Sequence, residues 1–184
     1  IMKHINILIG LIFIVPVLYS GYLPHYTTQT PYYNFLTHQA KDYHGRSLSI
    51  ICSYSDKQID QTHNFIQWVF PTTQQSAYNY RTPKLRSTDI ESIKNSPIAQ
   101  KSLHNMVLWF KHFLLRNPHL WLSTSSYHMV IQPNHNHLRI TRMIKSIRLL
   151  VSAEEAEHLK QWVYRQKPKG DHFRYYTEKA WQSA

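Results

Sequence analysis

The stretch HNHLRITRMIKSI, His135 to Ile147, decides the fold class. Ile140, Met143, Ile144 and Ile147 step by three and four residues, and Val151 continues the row with Leu150 beside it. That spacing places them on one face of an α-helix. Pro133 leads in, and Asn134 stands where an N-cap belongs, its side chain able to satisfy an orphan amide, with Asn136 assisting. Arg139, Arg142, Lys145 and Arg148 recur every third residue, so they drift slowly round the helix as a cationic edge beside its apolar face. Such an edge suits phosphate or carboxylate groups, which makes these four the candidate binding residues. The competing reading is a solvated face whose arginines pair with Glu154, Glu155 or Glu157. His135 and His137 do not share a helix face, so both could reach one metal only from extended chain. One of them is expected to bond a neighbouring backbone instead, and no metal site is expected.

Upstream, HNFIQWVFP (His63 to Pro71) reads as the end of a buried helix. Ser55 and Gln58 form an S-x-x-Q capping box, which opens a helix expected over residues 56–69. Ile59, His63, Ile66 and Phe70 make one stripe while Phe65, Trp68 and Val69 cover another side, so the last two turns are apolar nearly all round. A helix like that is buried, and Pro71 stops it. His63 and Gln67, four apart, suit a polar network at the buried end. His63, Phe65, Gln67, Trp68, Phe70 and Pro71 are therefore read as structural, together with Asn134, His135, Asn136 and His137.

The remaining segments are read in the same way. SLSIICSY, with Leu48, Ile51 and Cys52 at helical spacing, predicts a short helix. Thr88 with Glu91 reads as a second capping box, and Ser96-Pro97 as an N-cap followed by a first-turn proline. Leu103, Val107, Phe110 and Leu114 then mark a long amphipathic helix that ends before Pro118. Residues 119–132 show aromatic and β-branched residues with little alternation and read as a loop with room for one short strand. Ser152 with Glu155 opens a helix over residues 153–166 that turns Ala156, Leu159 and Val163 inward; residues 175–181 add a last turn or two. Four glycines and repeated capping boxes favour an all-α, single-domain irregular bundle of about five to seven helices.

Before that domain, expected over residues 32–184, lie a linker-like stretch, 22–31, and a hydrophobic segment, 1–21. Lys3 and His4 precede an apolar run from Ile5 to Tyr19, with Ser20 and Gly21 after it, which resembles a signal or anchor and predicts membrane association. The run is short for a free membrane span, and the alternative is a cytoplasmic chain whose leader packs on the domain.

The 184 residues carry a net charge of +11, so phosphates, anionic lipids and acidic proteins are attracted before any specific contact forms. Cys52 stands alone, which excludes an intrachain disulfide and a cysteine-based zinc site. GxGxxG, GxxxxGK[ST], HExxH and GxSxG patterns do not occur, and Asp56, Asp60, Asp89, Glu91 and Asp171 sit near helix starts or in a loop without forming an acid/base pair. The chain therefore reads as a binding module, not an enzyme, with no cofactor. Two partner classes stay open. One is a peptide or protein ligand, for which Tyr78, Tyr80 and Tyr127 near basic residues offer contact area. The other is nucleic acid or an anionic membrane surface, gripped by the cationic edge.

HNFIQWVFP and NHNHLRITRMIKSIRLL resemble the signature blocks of the opioid growth factor receptor conserved region family. GRSLSIICSYSDKQIDQTHNFIQWVFP resembles that family's opening block, residues 87–113 its middle block, and the helix-then-aromatic ending at Trp181 its close. The resemblance implies a mostly helical domain and a receptor-like role, since animal members are described as receptors for an enkephalin pentapeptide. It carries no ligand residue onto this chain. Where many members have a glycine after the long helix, this sequence has Arg116 and Asn117.

Overall fold

In a computed structural model that describes residues 30–76, 79–122, 134–167 and 175–184, every regular element among the described residues is helical. In chain order they are α1 (Pro31–Leu36), α2 (Leu48–Cys52), α3 (Asp56–Gln61), α4 (Ile66–Val69), α5 (Ser87–Lys94), α6 (Pro97–Arg116), a 3-10 turn (Pro118–Leu120), α7 (His135–Leu150), α8 (Ala153–Arg165) and α9 (Tyr175–Gln182). The all-α expectation holds. Two more helices form than the sequence suggests, for two local reasons. Thr30 caps α1 by accepting from the Tyr33 amide, drawing in the end of the segment expected to be linker. The helix expected over residues 56–69 is broken into α3 and α4, because Thr62 turns to extended backbone.

The core is built round α7, which packs on α8, α9, α5 and α6. Its stripe is the expected one: Ile140, Met143, Ile144, Ile147 and Leu150 are all buried. Leu103, Met106, Phe110, Phe113 and Leu114 of α6 and Ala156, Leu159 and Val163 of α8 complete that layer. At the opposite end Trp68 sits among Tyr32, Phe35 and Tyr43, with ring centroids 5.3, 5.4 and 5.1 Å away. Tilted and edge-on contacts of this kind add to plain area burial.

Side-chain caps fix most helix starts. Ser55 and Gln58 form both halves of their box, and Ser96 accepts from the Ala99 amide. Two expected boxes differ in detail. α5 starts two residues earlier than Thr88 and Glu91 imply, with Arg86 at the cap and the Asp89 carboxylate accepting from the Arg86 amide at 2.6 Å. Ser152 caps α8, but the Glu155 carboxylate faces His104 Nε2 at 2.8 Å instead of returning to the cap. Arg116 and Asn117, the departure from the family pattern, both hold Asp56 at the start of α3, at 2.6 and 2.9 Å.

Asn134 caps α7 as expected, its Oδ1 accepting from the Asn136 amide at 2.8 Å, while its Nδ2 donates to the Leu120 carbonyl, also at 2.8 Å. Asn134→Ala removes both bonds and is expected to cost about 1–2 kcal/mol in urea denaturation. A cost below about 0.3 kcal/mol contradicts this role for the cap. The hydrophobic segment 1–21, most of the linker, most of the loop expected over 119–132, Tyr78 and Tyr127 lie outside the described residues. Among the described residues no helix is long and apolar enough to cross a membrane.

Candidate functional site

Breaking the chain between α3 and α4 leaves backbone carbonyls without helical partners, and such groups must be satisfied. Arg139 of α7 does this: its Nη2 donates to the Asp60 and Thr62 carbonyls at 3.0 and 2.9 Å, and its Nη1 to Asn136 Oδ1 at 2.9 Å. The guanidinium lies 5.6 Å from the Phe65 ring centre, and the residue is only 4% exposed. Burial lowers its pKa, and the Asp60 charge works against that. Arg139 is therefore not on an open cationic edge. From the other side Arg46 Nη1 donates to Asn64 Oδ1 at 2.8 Å, and Arg46 is itself paired with buried Asp42 at 2.6 Å across a turn in which Gly45 takes φ +74°. The HNF segment is thus clamped by two arginines.

The histidines and asparagines of the second signature take separate roles. His137 Nε2 bonds the Trp121 carbonyl at 2.7 Å, so it satisfies backbone. Asn136 does not assist the cap with its side chain; it is fully buried and donates to Asp60 Oδ1 at 3.2 Å. His135 Nε2 meets the same carboxylate oxygen at 2.8 Å and stacks edge-on against His63 with 5.3 Å between ring centres.

Beside this node a groove of about 450 Å³ opens between the outer face of α7 and residues 72–76. Leu138, Thr141, Arg142 and Lys145 form one wall, Gln74, Gln75 and Ser76 the other, and Gln67 the floor, with His63 and His135 at one end. Leu138 is 37% exposed, an apolar side chain facing outward from the core stripe. Arg142 Nε donates to the Phe70 carbonyl at 2.8 Å, and its terminal amino groups have no hydrogen-bond partner among the described residues. Burial lowers its pKa, partly offset by nearby Tyr32. Lys145 Nζ reaches Gln74 Oε1 at 3.2 Å across the groove. Gln67, 4% exposed, uses its Nε2 on Ser76 Oγ at 3.3 Å while its Oε1 has no partner among the described residues.

Three of the four cations chosen from sequence thus line one groove: Arg139 as part of its frame, Arg142 and Lys145 as half-buried donors on its wall. Arg148 points elsewhere, to the Ala184 carbonyl at 2.6 Å and Glu157 at 3.9 Å, as the solvated-face reading expects. Phe65, Gln67, Trp68, Phe70 and Pro71 are buried, whereas His63 is exposed at the groove. Sequence reasoning missed Leu138, Thr141 and the opposite wall. Leu138 carried a signal, an apolar residue off the core stripe; Gln74 and Ser76 carried none. A second, smaller hollow of about 170 Å³ lies between α6, α7 and α8 beside His104, Leu108 and Leu159, with no arginine or lysine in its lining.

The node makes stability pH-dependent. Burial, then the charges of Arg139 and His135, hold the His63 pKa below its ordinary value. The unfolded chain therefore binds the proton more readily, and the stability is present above about pH 6.5 and lost as pH falls towards the folded value. For Asp60 burial alone raises the pKa, but hydrogen bonds from His135 and Asn136 and the His135 and Arg139 charges outweigh it, leaving the pKa lowered. Its contribution is present above about pH 4 and lost as pH falls through the folded value. Calorimetric Tm should fall from about pH 7 to about pH 5, and fall less in His63→Gln. Identical profiles for the two proteins would exclude His63 as a source.

Residues 30–166 match the family profile described as "Opioid growth factor receptor (OGFr) conserved region". The chain is also 29% identical over 99 residues to the opioid growth factor receptor-like protein 1 of Xenopus tropicalis, across 50% of this chain and 19% of that protein. It thus spans about a fifth of that relative's length. No solved structure matches the chain.

Proposed function

Because the chain belongs to the opioid growth factor receptor conserved region family, we propose that it is a non-catalytic, receptor-like module that takes a peptide, or a peptide segment of a protein, into the groove between α7 and residues 72–76. The observation that carries this is the groove itself. Its volume falls within the roughly 300–1,000 Å³ of ligand sites, and it combines an exposed leucine with Arg142 donors that have no partner among the described residues and with amide side chains. Apolar surface to fill, with a few polar groups to orient, is what side-chain recognition uses.

The test is to pan a random heptapeptide phage library on the full chain and re-measure the retained pool on Leu138→Trp. Leu138 is exposed, so the larger ring fills the groove mouth without disturbing the core. Retention by the native chain and at least about a tenfold loss on the variant support the reading. No retained peptides, or equal binding to the variant, overturn it. Opioid growth factor receptor activity is the narrower form. Calorimetry with enkephalin-type pentapeptides separates it, because saturating heat that disappears in Leu138→Trp supports the narrower form and no heat removes it. Membrane association through residues 1–21 is part of the same proposal; a wholly cytosolic reporter fused to residues 1–30 would remove that part.

A further inference from the structure

Resting on the groove as the binding site, we infer that its occupant is an acidic peptide segment, a carboxylate side chain seated on Arg142 and Lys145 with a neighbouring apolar side chain on Leu138. No aspartate or glutamate lines the groove among the described residues. Arg142 has no salt bridge among the described residues, and its only hydrogen bond there uses Nε, leaving the planar pair of terminal amino groups for a carboxylate. A guanidinium held by one backbone bond and open on its other edge is pre-set for two parallel hydrogen bonds to such a group. Among the described residues Lys145 is engaged only by a neutral amide, at 3.2 Å, which a carboxylate readily displaces.

Gln67 adds an independent sign of a ligand. Its Oε1 is buried in the groove floor without a donor among the described residues, and a peptide N–H is the kind of group that would satisfy it. The same geometry disfavours a nucleic-acid backbone or a lipid surface, which need a row of accessible cations. Arg139 is sealed inside, Arg148 is turned to Glu157, and the two remaining cations sit in a recess beside amide side chains.

The experiment sequences the heptapeptides retained by the full chain and measures binding of the best one to Lys145→Gln and Arg142→Gln. Lys145→Gln touches no core contact, so it reads charge even if Arg142→Gln, which loses the Phe70 bond, folds poorly. The expected result is a pool enriched in aspartate or glutamate next to an apolar residue, with about tenfold weaker binding to Lys145→Gln. A retained pool without acidic enrichment, or binding indifferent to Lys145→Gln, overturns the inference while leaving the groove reading intact. A native chain that retains no peptide overturns both. An oligonucleotide of about twenty thymidines that binds more tightly than the best peptide, and is lost in Lys145→Gln, also overturns the acidic-peptide inference.

Discussion

Arg139→Ala is expected to lower the unfolding free energy by about 3–5 kcal/mol, the range for removing one partner from a buried charged network. The mutation strips donors from the Asp60 and Thr62 carbonyls and from Asn136 Oδ1 at once, and leaves a void over the Phe65 ring. Each orphaned acceptor costs about 1–3 kcal/mol, and the losses overlap because the α3–α4 break can relax. Arg139→Lys should recover less than half, since a single ammonium cannot span two carbonyls and an amide oxygen with the fork's geometry. Urea titrations read both values. A change under about 1 kcal/mol for Arg139→Ala would mean that the break holds itself and the arginine is incidental.

Trp68→Ala should be as severe, about 3–5 kcal/mol and a Tm fall of roughly 10 °C, by lost transfer energy and an uncollapsed cavity. Trp68 contacts Tyr32 and Phe35 of α1 and is covered edge-on by Tyr43, so its loss unseats α1 as well as α4. Limited proteolysis should accordingly cut near α1 in this variant and not in Arg139→Ala, where that end is intact. Equal protection of α1 in the variant and the native chain would contradict the assigned role of Trp68.

These two residues show what the sequence could and could not convey. Trp68 and the α7 stripe were legible because burial repeats at helical spacing, and periodicity is local information. Asn134 was legible because an N-cap acts within three residues. The break at Thr62 was not, since residues 56–70 carry an unbroken apolar stripe; the break is held by Arg139 and Arg46, far away in sequence, and tertiary contacts override local propensity. For the same reason four cations spaced by three looked equivalent, although one is sealed in, two face the groove and one turns to Glu157. Helical spacing gives direction round an axis but not what lies opposite. The far wall of the groove, Gln74 to Ser76, follows Pro71 in a stretch with no period, so the sequence carried no sign that it faces α7.

The most direct test of the groove as the binding site is an amide chemical-shift titration of the full chain with the tightest peptide from panning. The structure predicts saturable shifts concentrated at Gln74, Leu138, Thr141 and Lys145, absent in Leu138→Trp. Shifts centred instead on His104, Leu108 and Leu159, with the α7 wall unmoved, would contradict it.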